Sequence, residues 1–139
     1  MERHGYGFTV KTGLGVEAAI EAATAALKAE GFGVLTTIDV RATLKQRLGA
    51  DVAPYVILGA CNPPLAHRAL DAEPEIGLLL PCTVVVYAGA DGQTTVSAVD
   101  PEAMFGLVRR DDLAPVAAEV AAKLQRALAA IPAHAVMAE

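Results

Sequence analysis

Two stretches of the chain repeat their apolar residues with the 3.6-residue period of an amphipathic helix and leave charged residues on the opposite side. They cover residues 16–30 and 113–131. The apolar positions that share one face are Val16, Ile20, Ala23 and Leu27 in the first stretch, and Leu113, Val116, Ala117, Val120, Leu124, Ala127 and Ile131 in the second. The pattern predicts two long helices, each with one buried face.

Five other stretches are rich in β-branched residues and lie between turn-forming residues, which is typical of β-strands. Asp91-Gly92 separates the last two with residues that favour a tight hairpin. The predicted strands are residues 6–11, 33–40, 54–61, 78–88 and 93–99.

Short helices are predicted where a capping residue precedes proline. Asn62 precedes Pro63-Pro64, and Asp100 precedes Pro101. Asparagine and aspartate accept hydrogen bonds from the first helical turn, where proline fits because its missing N–H is not needed. The first of these helices should reach about residue 72 and the second should end near residue 106. A further short helix is predicted over residues 42–48.

The order of elements is therefore β-α-β-β-β-β-α. It predicts one α+β domain spanning residues 1–139, with an ordered core of about residues 5–131. The antiparallel sheet should carry the two long helices on one face, plus short connecting helices.

The strand predicted over residues 78–88 is apolar on both sides. Leu79, Val85 and Tyr87 should lie on one side, away from the helices, and the other side holds Leu80, Cys82, Val84 and Val86. Two helices cover only one face of a sheet. A second copy of the chain is the simplest cover for the other face, so a homodimer is expected.

Composition excludes several classes of function. The chain carries a net charge of −5, has no basic block and contains no tryptophan, so it lacks the features of a nucleic-acid binder. The first ten residues contain no apolar run of a secretory signal, and no stretch is long and apolar enough to cross a membrane. A cytoplasmic location is expected, where two cysteines are reduced thiols rather than a disulfide.

Cys61 is the first candidate for chemistry, because it directly precedes the helix start at Asn62. Unpaired N–H groups and the positive end of the helix dipole stabilise a thiolate at such a position. The alternative is a small buried residue that packs like alanine at the end of a strand. Both interpretations stay open at this stage.

Cys82 lies twenty-one residues further along, in an apolar strand. If the strands ending at Cys61 and beginning near Cys82 are antiparallel neighbours, the two cysteines lie close together. Asn62 and Cys82 are then candidates for contacting a cofactor. A metal could bind Cys61 and Cys82 with His67 as a third ligand, although the spacing matches no zinc motif and a solvated histidine is the simpler interpretation.

Asp100 and Glu102 should lie at the same edge of the sheet, where paired carboxylates beside a thiol would suit acid–base catalysis. Their simpler roles are those of an N-cap and a first-turn acid. The sequence shows no phosphate-binding loop and no Ser/His/Asp arrangement. Whether the protein is an enzyme is therefore not decided by the sequence.

Four segments resemble the landmarks of the family called domain of unknown function 302. They are GFGVLTTIDVRATLK, ILGACNPPLAHRAL, EPEIGLLLPC and SAVDPEAM, and they occur in the order of the family. The resemblance extends over residues 7–131. It implies a compact α+β fold and a dimer, for a family without an established biochemical role, and it brings no catalytic residues.

Three functions remain open from the sequence. The first is a small dimeric module that binds a small ligand or regulates another process. The second is a thiol-dependent redox or metal-binding protein that uses Cys61. The third is a structural dimer without a small ligand.

Overall fold

A computed structural model describes residues 1–134 of the chain. Its centre is a six-stranded antiparallel sheet with the strand order β1-β2-β6-β5-β4-β3. The strands are β1 (Glu2–His4), β2 (Gly7–Thr12), β3 (Gly33–Asp39), β4 (Tyr55–Cys61), β5 (Cys82–Ala88) and β6 (Thr94–Val99).

Five α-helices connect or cover the strands: α1 (Val16–Ala29), α2 (Val40–Leu48), α3 (Pro63–Ala72), α4 (Pro101–Phe105) and α5 (Ala114–Ala129). Three 3-10 helices cover Pro74–Leu79, Gly106–Val108 and Asp111–Leu113. The α+β class and the two long helices, α1 and α5, are confirmed. None of the helices in residues 1–134 is both long and apolar enough to cross a bilayer.

The hydrophobic core lies between the sheet and the two long helices. Val84, Val86 and Val96 point from the central strands toward Leu27 of α1 and Leu124 of α5, and all five side chains are fully buried. The 3.6-residue period of the helices and the alternation along the strands therefore meet in one apolar layer.

The end of α1 shows how the sequence defines a helix boundary. Gly31 adopts a positive φ of 86°. The N–H of Phe32 donates to the carbonyl of Leu27, and the N–H of Gly31 donates to that of Lys28. This pair of bonds is a Schellman motif, which favours glycine because the left-handed conformation strains other residues.

The prediction of a strand over residues 78–88 is wrong for its first four residues. Pro74–Leu79 forms a 3-10 helix, the Leu80-Pro81 bond is cis, and the strand begins at Cys82. Because β5 lies between β4 and β6, a proline inside it would remove a ladder hydrogen bond, so the strand starts after Pro81. Leu79 and Leu80 pack partly buried against the core.

The N-terminal boundary also needs correction. Glu2–His4 forms an additional edge strand, so the order is β-β-α-β-β-β-β-α and the sheet begins before the predicted core limit of residue 5. At the other end, the carbonyls of Pro132 and Ala133 accept hydrogen bonds from Thr12 Oγ1 at 2.6 Å and from the N–H of Gly13 at 2.7 Å. The chain is therefore held beyond the predicted limit of residue 131.

The second face of the sheet has no helix over it within residues 1–134, and we call it the open face. Its central positions are Thr9, Tyr55, Thr83, Val85, Tyr87, Thr95 and Ser97. The rings of Tyr55 and Tyr87, which are paired in the β4–β5 register, stack at 5.1 Å between centroids. Leu79 lies in the 3-10 helix before β5, so this face carries only Val85 and Tyr87 of the three apolar residues that the sequence predicted for it.

Candidate functional site

The register of β4 and β5 brings the two cysteines to one end of the sheet. Ala60 pairs with Cys82, and Cys61 is the next residue of β4. The two strands are antiparallel neighbours, as the sequence reasoning assumed, so the end of one lies beside the start of the other. Both thiols are free, with Cys61 half-buried and Cys82 buried.

Asn62 lies between Cys61 and the first residue of α3, and both the oxygen and the nitrogen of its side-chain amide form hydrogen bonds. Oδ1 accepts a hydrogen bond from the N–H of Leu65 at 3.5 Å, which caps α3, and Nδ2 donates to the carbonyl of Glu30 at 3.3 Å, at the end of α1. A Cβ atom at Gly31 would lie 3.0 Å from Nδ2. The asparagine therefore joins two helix ends, and its amide is already engaged in the fold.

A cavity of about 390 Å³ opens beside these residues, and we call it the thiol pocket. Its walls come from β3, the ends of β4 and β5, α3, the Pro74–Leu79 turn, α4 and α5. The lining residues are Phe32, Leu35, Thr36, Ala60, Cys61, Asn62, Leu65, Ala66, Ala69, Leu70, Gly77, Leu80, Pro81, Cys82, Phe105, Val116 and Val120. None of them carries a charge, so the pocket suits an uncharged, mainly apolar molecule.

Two distant hydrogen bonds anchor α3, the helix that forms one wall of the thiol pocket. Asn62 ties its first turn to the carbonyl of Glu30, and the guanidinium of Arg110 donates to the carbonyl of Ala72 at its last residue. Arg110 also pairs with Asp112 at 2.6 Å. The helix is thus fixed at both ends against separate parts of the chain.

The two thiols lie in different environments. Burial raises the pKa of the Cys82 thiol to about 11, and the neighbouring Cys61 adds to the rise. Cys82 therefore remains protonated at neutral pH and is a poor nucleophile. Cys61 is the more exposed thiol and lies on the wall of the pocket.

Asp100 and Glu102 do not line the thiol pocket. Asp100 is buried: Oδ1 accepts from the N–H of Glu102 at 3.0 Å, and Oδ2 accepts from Nη2 of Arg3 at 3.0 Å. Glu102 lies 3.6 Å from the same guanidinium nitrogen. The two acids therefore cap α4 and hold the edge strand β1, and they are not placed for acid–base work beside a thiol.

His67 is also outside the thiol pocket. Its Nε2 lies 3.4 Å from Asp71 Oδ2 on the solvated side of α3, with 78% of the histidine side chain exposed. Across residues 1–134, no group of three or more His, Cys, Asp and Glu side chains is arranged to hold a metal ion. Of the three candidate metal ligands, the structure brings together only the two cysteines.

The sequence reasoning missed the apolar walls of the pocket. Leu35, Leu70 and Phe105 come from three separate elements, and only the tertiary fold brings them to the cysteines. A usable signal was the helix start after Cys61, which indicates that a helix turns back over the end of β4. No local sequence pattern shows that Leu35 and Phe105 form the wall of the pocket opposite α3.

The open face forms a second, shallower depression of about 780 Å³. The hydroxyls of Thr9 and Ser97 are hydrogen-bonded there, and Lys11 pairs with Asp91 at 2.5 Å. The hydrogen bond from Lys11 lowers the pKa of the Asp91 carboxyl, and the same contact raises the pKa of Lys11. These polar groups already satisfy one another, so the face offers fewer free partners than its size suggests.

Comparison with known proteins gives a family and a solved structure of similar fold. A family model described as domain of unknown function DUF302 matches residues 8–131. The crystal structure of an uncharacterized conserved DUF302 protein from Bacillus stearothermophilus is similar to this chain, with 34% sequence identity and a TM-score of 0.84. The match covers 90% of this chain and 97% of that one. Among curated proteins no match is found.

Proposed function

Because the chain belongs to the DUF302 family, whose function is unknown, we propose a function from the thiol pocket: the protein is a small-ligand binding or regulatory module. The ligand is an uncharged, largely apolar molecule held in the thiol pocket. The observation that carries this proposal is an uncharged cavity of about 390 Å³ beside both cysteines.

The volume and the lining support this class of ligand. Small-molecule sites commonly have volumes of roughly 300–1,000 Å³, and a cavity of about 150 Å³ is enough for benzene. The pocket therefore has room for a molecule of one or two rings or a short branched chain. Thr36, Asn62 and the thiols are its only polar lining residues, so polar groups on the ligand would be few.

The homodimer expected from the sequence is part of the proposal. The sequence predicted a dimer because the face of the sheet without helices should be apolar. Leu79, one of the three apolar residues predicted for that face, lies outside it. Val85 and Tyr87 remain on the face, both half-buried. The exposed edge strand β3 offers a different surface for a dimer.

A thiol-dependent redox protein is the second candidate. The observation that favours it is the position of half-buried Cys61 on the wall of a pocket. In this function Cys61 would react with a bound molecule, while Cys82 would stay protonated. The metal-binding version loses support because His67 lies elsewhere.

The first test is a native mass spectrum of freshly purified protein, in which a bound molecule adds mass to the chain. The second is titration with N-phenyl-1-naphthylamine, an uncharged apolar fluorophore. Ala66 lines the pocket and is half-buried, so Ala66→Leu should reduce the pocket volume and weaken probe binding about tenfold.

Ala118 lies on the exposed side of α5 and gives a matched control, since Ala118→Leu adds the same side chain outside the pocket. We expect the control to bind the probe like the parent. Equal probe affinity in both variants, together with no added mass in the spectrum, would show that the pocket does not bind apolar molecules.

A further inference from the structure

One segment of the chain contributes little to the core, since only Val34 of its residues packs against the core and it is only partly buried. From residue 33 to residue 54, a run of 22 residues, no residue is buried. With Tyr55, the half-buried first residue of β4, it forms the longest such run among residues 1–134. Residues 33–54 comprise β3, α2 and the loop to β4, and we call them the β3–α2 segment. A folded segment of this length usually packs against something.

Strand β3 is an edge strand with little protection. It pairs only with β4, and six of its seven residues are exposed. Natural edge strands are commonly protected by lysine, proline or a bulge. This strand has no lysine or proline, and its bulge between Val34 and Thr36 leaves the stretch up to Asp39 regular. That stretch can therefore accept another strand.

Helix α2 has only a half-buried side, formed by Val40 and Leu44 four positions apart. It has nine residues, none of them buried. Isolated helices shorter than about 12–15 residues are marginal in water. The N-cap bond from the N–H of Ala42 to Asp39 Oδ1, the left-handed Gly49 and the Lys45–Asp51 ion pair at 3.0 Å stabilise its ends. These local contacts are each worth little, so α2 needs a packing surface to be stable.

The segment also carries exposed apolar side chains. Leu35 is 68% exposed and Leu48 is 73% exposed, and Ile38 and Val52 are exposed too. Apolar side chains grouped along one edge indicate an interaction site more strongly than scattered ones. The edge strand, the mostly exposed helix and the apolar side chains all belong to this one segment, which is therefore the candidate interaction surface.

We propose that the β3–α2 segment is the dimer interface, in which β3 pairs antiparallel with the β3 strand of a second copy across a two-fold axis. The pairing extends two six-stranded sheets into one of twelve strands. This inference names the surface of the homodimer in the proposed function and does not depend on the ligand.

Three features favour a second copy over another protein. An antiparallel strand pair is self-complementary, so one two-fold contact satisfies the edges of both chains. The segment has 17 exposed residues, close to the roughly 20–30 that each partner contributes to a stable interface.

The third feature is charge. Helix α2 carries Arg41, Lys45 and Arg47 without an acid, a charge of +3, whereas the whole chain carries −5, so the rest of the chain carries −8. Asp39 and Asp51 reduce the charge of the whole segment to +1. The antiparallel pairing places each α2 beside the start of the partner's β3 and away from the partner's α2, so two copies can meet here without repulsion between the basic helices.

The dimer also affects the thiol pocket. In an antiparallel pair, the end of β3 in one copy lies beside the start of β3 in the other. Leu35, near the start of β3, lines the pocket. Helix α2 of the partner follows directly after the end of its β3, so it approaches the mouth of the pocket. Dimerisation then adds to the outer wall of the ligand site.

The test is the mass in solution by light scattering and sedimentation at micromolar concentration. The parent protein should show twice the chain mass of 14.3 kDa. Ile38→Lys places a charge in the centre of the interface in both copies, and we expect association to weaken by about a hundredfold or more. Ile38 is 48% exposed in the single chain, so the variant should fold.

Leu107→Lys is the matched control, because Leu107 is 71% exposed and lies outside the segment. It should remain dimeric. Hydrogen exchange gives a second measurement: the amides of residues 36–39 should be protected in the parent and exchange faster in Ile38→Lys. A monomeric parent, or an Ile38→Lys variant that stays dimeric with unchanged exchange, would overturn the proposal.

A native mass spectrum separates this proposal from the proposed function. The number of chains in the particle tests the interface, and added small mass tests the pocket. A dimer without added mass would leave the interface standing and remove the ligand. A monomer with added mass would do the opposite.

Discussion

The raised pKa of Cys82 predicts a specific loss of stability in alkaline solution. The pKa of this thiol is about 11 in the folded protein against 9.0 for an ordinary cysteine. Below pH 9 the thiol is protonated in both the folded and the unfolded chain, so its ionisation has no effect. Above pH 9 the unfolded chain loses the proton first, and the free energy of unfolding falls until the pH passes the folded pKa.

The size of the effect follows from the shift. One pKa unit corresponds to about 1.4 kcal/mol, so a shift of about two units should cost about 2–3 kcal/mol between pH 9 and pH 11. Cys82 is only 8% exposed, so solvent screens this cost little. Lysines and tyrosines titrate in the same range, and the cysteine must therefore be isolated by comparison.

The comparison is between the parent protein and Cys82→Ala, with urea unfolding measured at pH 8, 9, 10 and 11. The variant is expected to be less stable at pH 8, because it loses packed volume. The difference between the two proteins should shrink by about 2–3 kcal/mol as the pH rises to 11. A difference that stays constant over this range would refute the burial of the Cys82 thiol as the source of its raised pKa.

Three further predictions test the site and the core. Iodoacetamide at neutral pH should label half-buried Cys61 first, and Cys82 only on unfolding, as read by peptide mass spectrometry. Asp100→Ala should lower the free energy of unfolding by about 1–3 kcal/mol in urea, because it removes a helix cap and the partner of an arginine, whereas Asp100→Asn should cost less. Val84→Asp should abolish soluble expression, since Val84 is fully buried and an unpaired carboxylate there costs several kcal/mol, while Glu119→Ala should change stability by about 0.5 kcal/mol or less.

Each of these predictions has a clear contrary result. Similar labelling rates for both cysteines would place Cys82 at the surface. Equal unfolding free energies for the parent and Asp100→Ala would mean that the cap and the arginine contact contribute nothing. Soluble, folded Val84→Asp would show that the inner face of β5 is assigned wrongly.

The sequence predicted the features that depend on neighbouring residues. The caps at Asn62 and Asp100 were readable, because the capping side chain and the N–H it accepts lie two or three residues apart. The Schellman end of α1 was readable from Gly31 for the same reason. The neighbouring positions of the two cysteines followed from a simple assumption about antiparallel strands.

Other features needed information from outside the local sequence. The apolar residues 78–80 fit a strand as well as a turn, and only the central position of β5 makes Pro81 a boundary. Strand β1 is short and polar, and Arg3 joins the fold through Asp100, 97 positions away. The thiol pocket was not predictable because its walls come from separate elements.

The anchoring of α3 determines how a ligand can reach the thiol pocket. A helix that is held at one end can rotate outward about that end. This helix is held at both ends, because Asn62 at its start donates a hydrogen bond to the carbonyl of Glu30 and Ala72 at its end accepts one from Arg110. Opening by a rigid movement would break one of these bonds. Entry past the side chain of Leu70 breaks neither bond, because Leu70 is exposed beside the pocket and lies on α3, away from the β3 edge. Rotation of such side chains takes picoseconds to nanoseconds, so access to the pocket should be fast and should not require the backbone to move.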